Sequence, residues 1–197
     1  MTFKLGLTGS IGMGKSTTAR IFAEQGCGVW DADAAVHRLY GENGAAVAPV
    51  AAIFPQVMKQ QEICRTAIKQ LISDDSAALR QIEKIVHPLV ARDRQLFIEQ
   101  AEQAVLVFDI PLLYETHSQQ QFDAVACVYI SPEEQRRRVM DRGTMTAAQL
   151  DYILSKQMPI AKKRELSLYQ IETDSLMHVM AQVAAILEDI REQVTDA

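Results

Sequence analysis

Gly9, Gly14, Lys15 and Ser16 satisfy the spacing G-x-x-x-x-G-K-[ST] within FKLGLTGSIGMGKST, residues 3–17. The spacing has a physical meaning. Glycines let successive backbone N–H groups turn inward around one anion, and a following helix adds the positive end of its dipole. In such a loop a lysine neutralises the β and γ phosphates of a nucleoside triphosphate, and the next hydroxyl holds Mg2+. Lys15 and Ser16 take those places, and Gly9, Ile11, Gly12, Met13, Gly14, Lys15, Ser16 and Thr17 form the expected nucleotide-binding segment. The alternative is a flexible glycine turn ahead of an ordinary helix. An apolar run before the motif and a helical pattern after it argue against that alternative. A guanine-nucleotide switch is excluded, because the one asparagine, Asn43, precedes Gly44 and no D-x-x-G occurs.

Carboxylates stand where a phosphoryl acceptor or a metal would need them. Asp31-Ala32-Asp33 follows a short apolar run, so either aspartate can take a proton from an attacking hydroxyl, organise Mg2+, or cap the next helix. Asp109 ends the run Val105 to Asp109, the arrangement in which an aspartate supports Mg2+ beside a phosphate loop, although many strands end in aspartate. Residues 133–165 hold eight basic against five acidic residues, a net +3 within a chain of net −5. Arg138 and Arg142 lie one helical turn apart there and would clamp phosphoryl oxygens if the segment folds over the site. The competing reading is a solvated face with Glu133–Arg137 and Glu134–Arg138 pairs. Arg65 is either an anion contact or a surface arginine, and His87 either a functional group or a cap.

Four apolar runs must position these groups: residues 3–8, 27–31, 104–109 and 123–130. They are short, apolar on both faces and separated by helical patterns, which predicts an α/β fold with a parallel sheet covered on both sides. Helices are expected at 15–25, 32–40, 44–53, 64–73, 76–86, 88–102, 132–141, 146–157, 160–167 and 175–194. Pro88 is the reason for separating the fifth from the sixth. Ser131-Pro132-Glu133-Glu134 combines an N-cap, a proline at the first helical position and a glutamate three residues on, a strong helix start. About 34–90 is too long for one crossover and reads as a helical insertion into a single domain spanning 1–197.

The 197 residues are 48% hydrophobic and 23% charged, the composition of an ordinary globular chain. Net charge −5 argues against a general nucleic-acid binder. No run approaches the length of a membrane span, and no secretory signal is expected. Cys27, Cys64 and Cys127 lack disulfide or metal spacing, which fits buried thiols in a reducing cytoplasm. No obligate protein partner is evident.

Taken together, LTGSIGMGKST, VWDAD at 29–33, EICR at 62–65, IEKIVHPLV at 82–90, VFDIPLLYE at 107–115, VYISPEEQRRRVMDR at 128–142 and QMPIAKKR at 157–164 resemble the dephospho-CoA kinase family over nearly the whole chain. The resemblance implies a P-loop kinase core, a helical CoA-binding insertion and an arginine-bearing helical lid at about 132–165. It implies ATP-dependent phosphorylation of the ribose 3′-hydroxyl of dephospho-CoA, with ATP and Mg2+. Asp33 would be the base, Lys15, Arg138 and Arg142 the catalytic cations, and Ser16 and Asp109 the metal-side groups. Asp33, Arg65, His87 and Leu112 would meet the acceptor. Three departures stand out: His37 with Arg38 beside it where an arginine is usual, Ser167–Thr173 in place of A-D-x-x-I-x-N, and Ser10 for a glycine. Rival readings are a kinase for another small metabolite and a nucleotide-binding module without turnover.

Overall fold

The computed structural model describes residues 2–195. Five strands form the main sheet: β1 (Phe3–Thr8), β2 (Gly28–Asp31), β5 (Val105–Asp109), β6 (Ala124–Tyr129) and β7 (Tyr169–Glu172). Between β2 and β5 in sequence, β3 (Met58–Lys59) and β4 (Glu62–Ile63) pair antiparallel as a two-stranded sheet of their own. The main sheet runs in the order β2-β5-β1-β6-β7. Its register is parallel, Leu5 lying beside Val107 on one side and Ala124 on the other. Such strands are buried on both faces, and β5 is buried along its entire length. The helices are α1 (Lys15–Glu24), α2 (Ala32–Tyr40), α3 (Val47–Ile53), α4 (Arg65–Asp74), α5 (Ser76–Gln100), α6 (Pro132–Asp141), α7 (Ala147–Lys156), α8 (Ile160–Leu166) and α9 (Leu176–Thr195).

Packing divides the chain into two compact units, one of residues up to Trp30 together with those from Ala101 onward, the other Asp31–Gln100. In the first, Leu5, Leu7, Val107, Ala126 and Val128 of the sheet meet Ile21 and Phe22 of α1 and Val183, Leu187 and Ile190 of α9. Side chains as enclosed as Phe22 contribute about 1.5–3 kcal/mol each by leaving water. Leu113, Tyr114 and Val125 form a smaller cluster with Phe122 and Met158. In the second unit, Leu39, Tyr40, Val50, Phe54, Ile68, Ile82 and Val86 build a separate helical core.

The parallel α/β architecture follows the sequence expectation, with three differences. α5 runs unbroken through Pro88, although a break was expected there. Proline removes one helical hydrogen bond. Here Ile82, Ile85, Val86, Leu89 and Val90 carry one apolar stripe across it into the core, and that burial keeps the two halves in one helix. The hairpin at Met58–Ile63, turning at Gln60 with φ 57°, falls between the expected helices 44–53 and 64–73 of an insertion read as helical. β7 was not anticipated; with four residues and only Ile171 buried, it lacks a strand signature and is defined by parallel pairing to β6.

Candidate functional site

The phosphate loop joins β1 to α1, and its shape needs glycine at two places. Gly12 adopts φ +78°, and a Cβ there would lie 2.4 Å from Val139 Cγ2 of α6. Gly14 adopts φ +81° at the N-cap of α1, where a Cβ would come within 3.1 Å of Thr173. Both conformations are accessible to glycine at little steric cost. No side chain caps α1, so its first amides are left to face the loop. Ser16 and Thr17 are exposed, Met13 is buried, and Ile11 is half-buried.

Lys15 forms an ion pair with Asp109, which is only 3% exposed at the end of β5. Two residues far apart in sequence, each singled out by its motif, are thereby brought together. The neighbouring backbone is held as well: Gln135 Nε2 donates to Ile11 O at 2.7 Å, and Ile11 N–H donates to Gln157 Oε1 at 3.4 Å. Thr173 lies against the loop. Its hydroxyl donates to Met13 O at 3.0 Å, and it accepts from Arg138 Nη1 at 3.2 Å.

α6 starts as expected, with Ser131 accepting from Glu134 N–H and Pro132 at its first position. Its charges are largely paired. Glu134 accepts from both Arg137 and Arg138 at 2.7 Å. Hydrogen bonds from Arg137, and then from Arg138, pull its carboxyl down to about 2. The expected Glu134–Arg138 pair forms, whereas Arg137 pairs with Glu134 and Asp141. Arg136 pairs with Asp151. Arg138 turns inward to Thr173 O at 2.7 Å, and Arg142, the C-cap, is exposed.

The segment after Asp109 is anchored by Lys163, a residue sequence reasoning counted only as part of a basic stretch. Its side chain is fully buried, pairs with Glu115 at 2.9 Å and donates to Pro111 O at 2.9 Å. Tyr114 and Ser167 share a buried hydrogen bond of 2.8 Å, and Ser167 donates to Lys163 O at 2.7 Å. Leu112 stays 43% exposed in the turn between these anchors. The QMPIAKKR segment was the available signal; which lysine is buried depends on contacts some fifty residues away.

In the second unit the two neighbouring aspartates separate by task. Asp31 caps α2, its Oδ1 accepting from Ala34 N–H at 3.0 Å, and Asp33 is exposed in the first turn. Arg65, at the start of α4, donates to Asp33 O at 3.3 Å, so these two predicted residues are adjacent. His87 is exposed within α5 and not at a helix end. Arg38 forms two hydrogen bonds to Asp93, at 2.6 and 3.2 Å, and His37 is exposed.

Comparison with known proteins gives a consistent outcome. The sequence model of the dephospho-CoA kinase family matches residues 3–178. A dephospho-CoA kinase of Ruegeria pomeroyi is 57% identical over 191 residues, covering 97% of each chain. Among solved structures, the protein TT1252 of Thermus thermophilus superimposes with TM-score 0.85 at 27% identity, covering 95% of this chain and 97% of its own. A dephospho-CoA kinase from Campylobacter jejuni shares the fold, with TM-score 0.72 at 21% identity, covering 98% of this chain and 99% of its own.

Proposed function

The chain belongs to the dephospho-CoA kinase family, and we propose that it transfers the γ-phosphoryl group of ATP to the ribose 3′-hydroxyl of dephospho-CoA. The observation that carries the reading at the site is the pairing of Lys15 with Asp109 beside a glycine loop whose helix amides are uncapped. A triphosphate in that loop offers Lys15 a stronger anionic partner and frees the Asp109 carboxylate. The Ser16 hydroxyl and the Asp109 carboxylate are hard oxygen donors, the kind Mg2+ takes, so these residues fit the ion. When bound, it would neutralise charge on the β and γ phosphates.

The reaction is an in-line displacement: a bond forms from the acceptor oxygen to Pγ as the bond from Pγ to the β,γ-bridging oxygen breaks, and ADP leaves. Asp33, exposed while Asp31 is committed to capping, takes the hydroxyl proton and later releases it to solvent. Lys15, with Arg138 and Arg142, stabilises charge on the transferring group. Residues of about 34–90 serve as the CoA-binding subregion, Arg65, His87 and Leu112 meet the acceptor, and 132–165 act as the lid. Among the described residues no helix is long and apolar enough to cross a membrane, and a cytoplasmic site of action fits CoA synthesis.

The test is product formation from MgATP by the purified protein with dephospho-CoA, shikimate, gluconate or nucleoside monophosphates as acceptor. Phosphorylation confined to dephospho-CoA is expected. Turnover of another acceptor alone, or nucleotide binding with no product from any, would replace the reading by one of its rivals. Asp33→Asn should lower kcat on the order of 10²- to 10⁴-fold with little change in ATP affinity; near-normal turnover would remove Asp33 as the base.

A further inference from the structure

Within the segment read above as the lid, the turn between α7 and α8, Gln157-Met158-Pro159, holds none of the residues named in the mechanism, yet it grips two loops at once. On one side Gln157 Oε1 accepts from Ile11 N–H at 3.4 Å, inside the phosphate loop. On the other, Met158 N–H donates to Glu115 Oε1 at 2.8 Å. That same oxygen pairs with Lys163 Nζ at 2.9 Å, and Lys163 in turn holds Pro111 O. Adjacent residues of one turn thus connect the loop that cradles phosphates to the segment that begins two residues after Asp109.

The two holds on Ile11 fall on successive peptide units and are unequal. Gln135 is 5% exposed on α6, and its bond to the Ile11 carbonyl is 2.7 Å long. Gln157 is half-buried, and its bond to the Ile11 amide is long, at 3.4 Å. The Ile11–Gly12 unit is thus fixed through its carbonyl, whereas the Ser10–Ile11 unit, whose N–H reaches Gln157, is held loosely. Rotation of the Ser10–Ile11 unit redirects the Ile11 amide, which lies within the anion-binding turn.

We propose that Gln157 is a positioning residue that couples occupancy of the phosphate loop to the arrangement of Pro111–Glu115, making the binding of ATP and of the acceptor mutually favourable. The inference rests on the kinase reading above. Movement of the 157–159 turn shifts Gln157 against Ile11 and Met158 against Glu115 together, so a ligand that orders one loop orders the other. Coupling of this kind is reciprocal between the two ligands.

The experiment measures binding of a non-hydrolysable ATP analogue with and without dephospho-CoA, and of dephospho-CoA alone, for wild type, Gln157→Leu and Gln157→Glu, alongside steady-state kinetics and Tm. Wild type should bind the analogue about fivefold or more tightly when dephospho-CoA is present. Gln157→Leu removes the acceptor at similar size; the coupling factor should fall to about one and kcat/KM for ATP by about fivefold, the effect of one neutral hydrogen bond. Affinity for dephospho-CoA alone should not change. Gln157→Glu retains an acceptor oxygen and should restore most of the coupling.

A purely structural role would lower Tm and weaken both ligands in parallel while leaving the coupling factor intact, and that result would overturn the proposal. So would a wild type that phosphorylates dephospho-CoA with a coupling factor of one. If wild type phosphorylates no dephospho-CoA at all, the kinase reading fails instead, which separates the two.

Discussion

The phosphate loop and the arm formed by α6, α7 and α8 both place positive charge, and they do so in opposite ways. The loop does it with backbone: glycines at φ +78° and +81° shape it, an uncapped helix end polarises it, and a single side chain, Lys15, adds the formal charge. The arm does it with side chains, and most of its cations are already engaged. Arg136, Arg137 and Arg138 pair with carboxylates, and Lys163 is buried against Glu115. A backbone site is written locally in the chain, because each residue's φ/ψ preference is its own. A side-chain site depends on which partner the fold supplies, and Lys15 and Lys163 show the contrast within one residue type.

The largest effect should come from breaking the arm's buried pair. Lys163→Met leaves Glu115 without its cation, and stability measured by urea denaturation should fall by about 3–5 kcal/mol. Adding Glu115→Leu should recover most of that loss, since Glu115 Oε2 is buried without a hydrogen-bond donor and its removal ends that cost. A double variant no more stable than the single would show that Lys163 acts through packing and not through its charge.

In the loop, Lys15→Ala should lower kcat roughly 10²- to 10³-fold, the range for losing one preorganised donor to developing charge. Stability measured without nucleotide should fall as well, because the variant leaves Asp109, only 3% exposed, without its cation. Unaltered kinetics would move the site elsewhere and erase the contrast.

Neighbouring arginines of α6 sharpen the comparison further. Arg138→Ala loses hydrogen bonds to Thr173 and Glu134 in a side chain only 23% exposed, at a cost of about 1–3 kcal/mol for charged donors. Arg137 is 62% exposed, and Arg137→Ala should cost no more than about 0.5 kcal/mol. Equal thermal shifts in the two variants would mean that Arg138 faces solvent and not Thr173.

The smallest effect concerns pH. Glu134 is held at about 2 by Arg137 and then Arg138, below its ordinary 4.5. A lowered carboxyl contributes to stability above the ordinary value, and the contribution is lost as pH falls from 4.5 toward about 2. A carboxyl-carbon NMR titration should place the Glu134 midpoint near 2 in wild type, rising toward the ordinary value in Arg137→Ala. A midpoint at the ordinary value in wild type would dissolve the paired-arm picture at its best-defined point.

Residue types and spacings alone determined the phosphate loop, its flanking strand and helix, the Ser131 cap and the α/β class. Those features rest on φ preferences, capping and two-faced apolar runs, all of which act within a few residues. The family resemblance was legible for the same reason, as a series of short motifs in order. Tertiary structure decided the rest. It carried α5 through Pro88 because an apolar stripe kept facing one core, and it made a strand of Tyr169–Glu172 because β6 offered an edge. It gave capping to Asp31 and left Asp33 exposed. It also joined Thr173 to Met13, 160 residues away, and tied Gln157 to Ile11 across 146. Such contacts form only after the chain has closed long loops, and no local preference of the residues concerned encodes which partner will be waiting.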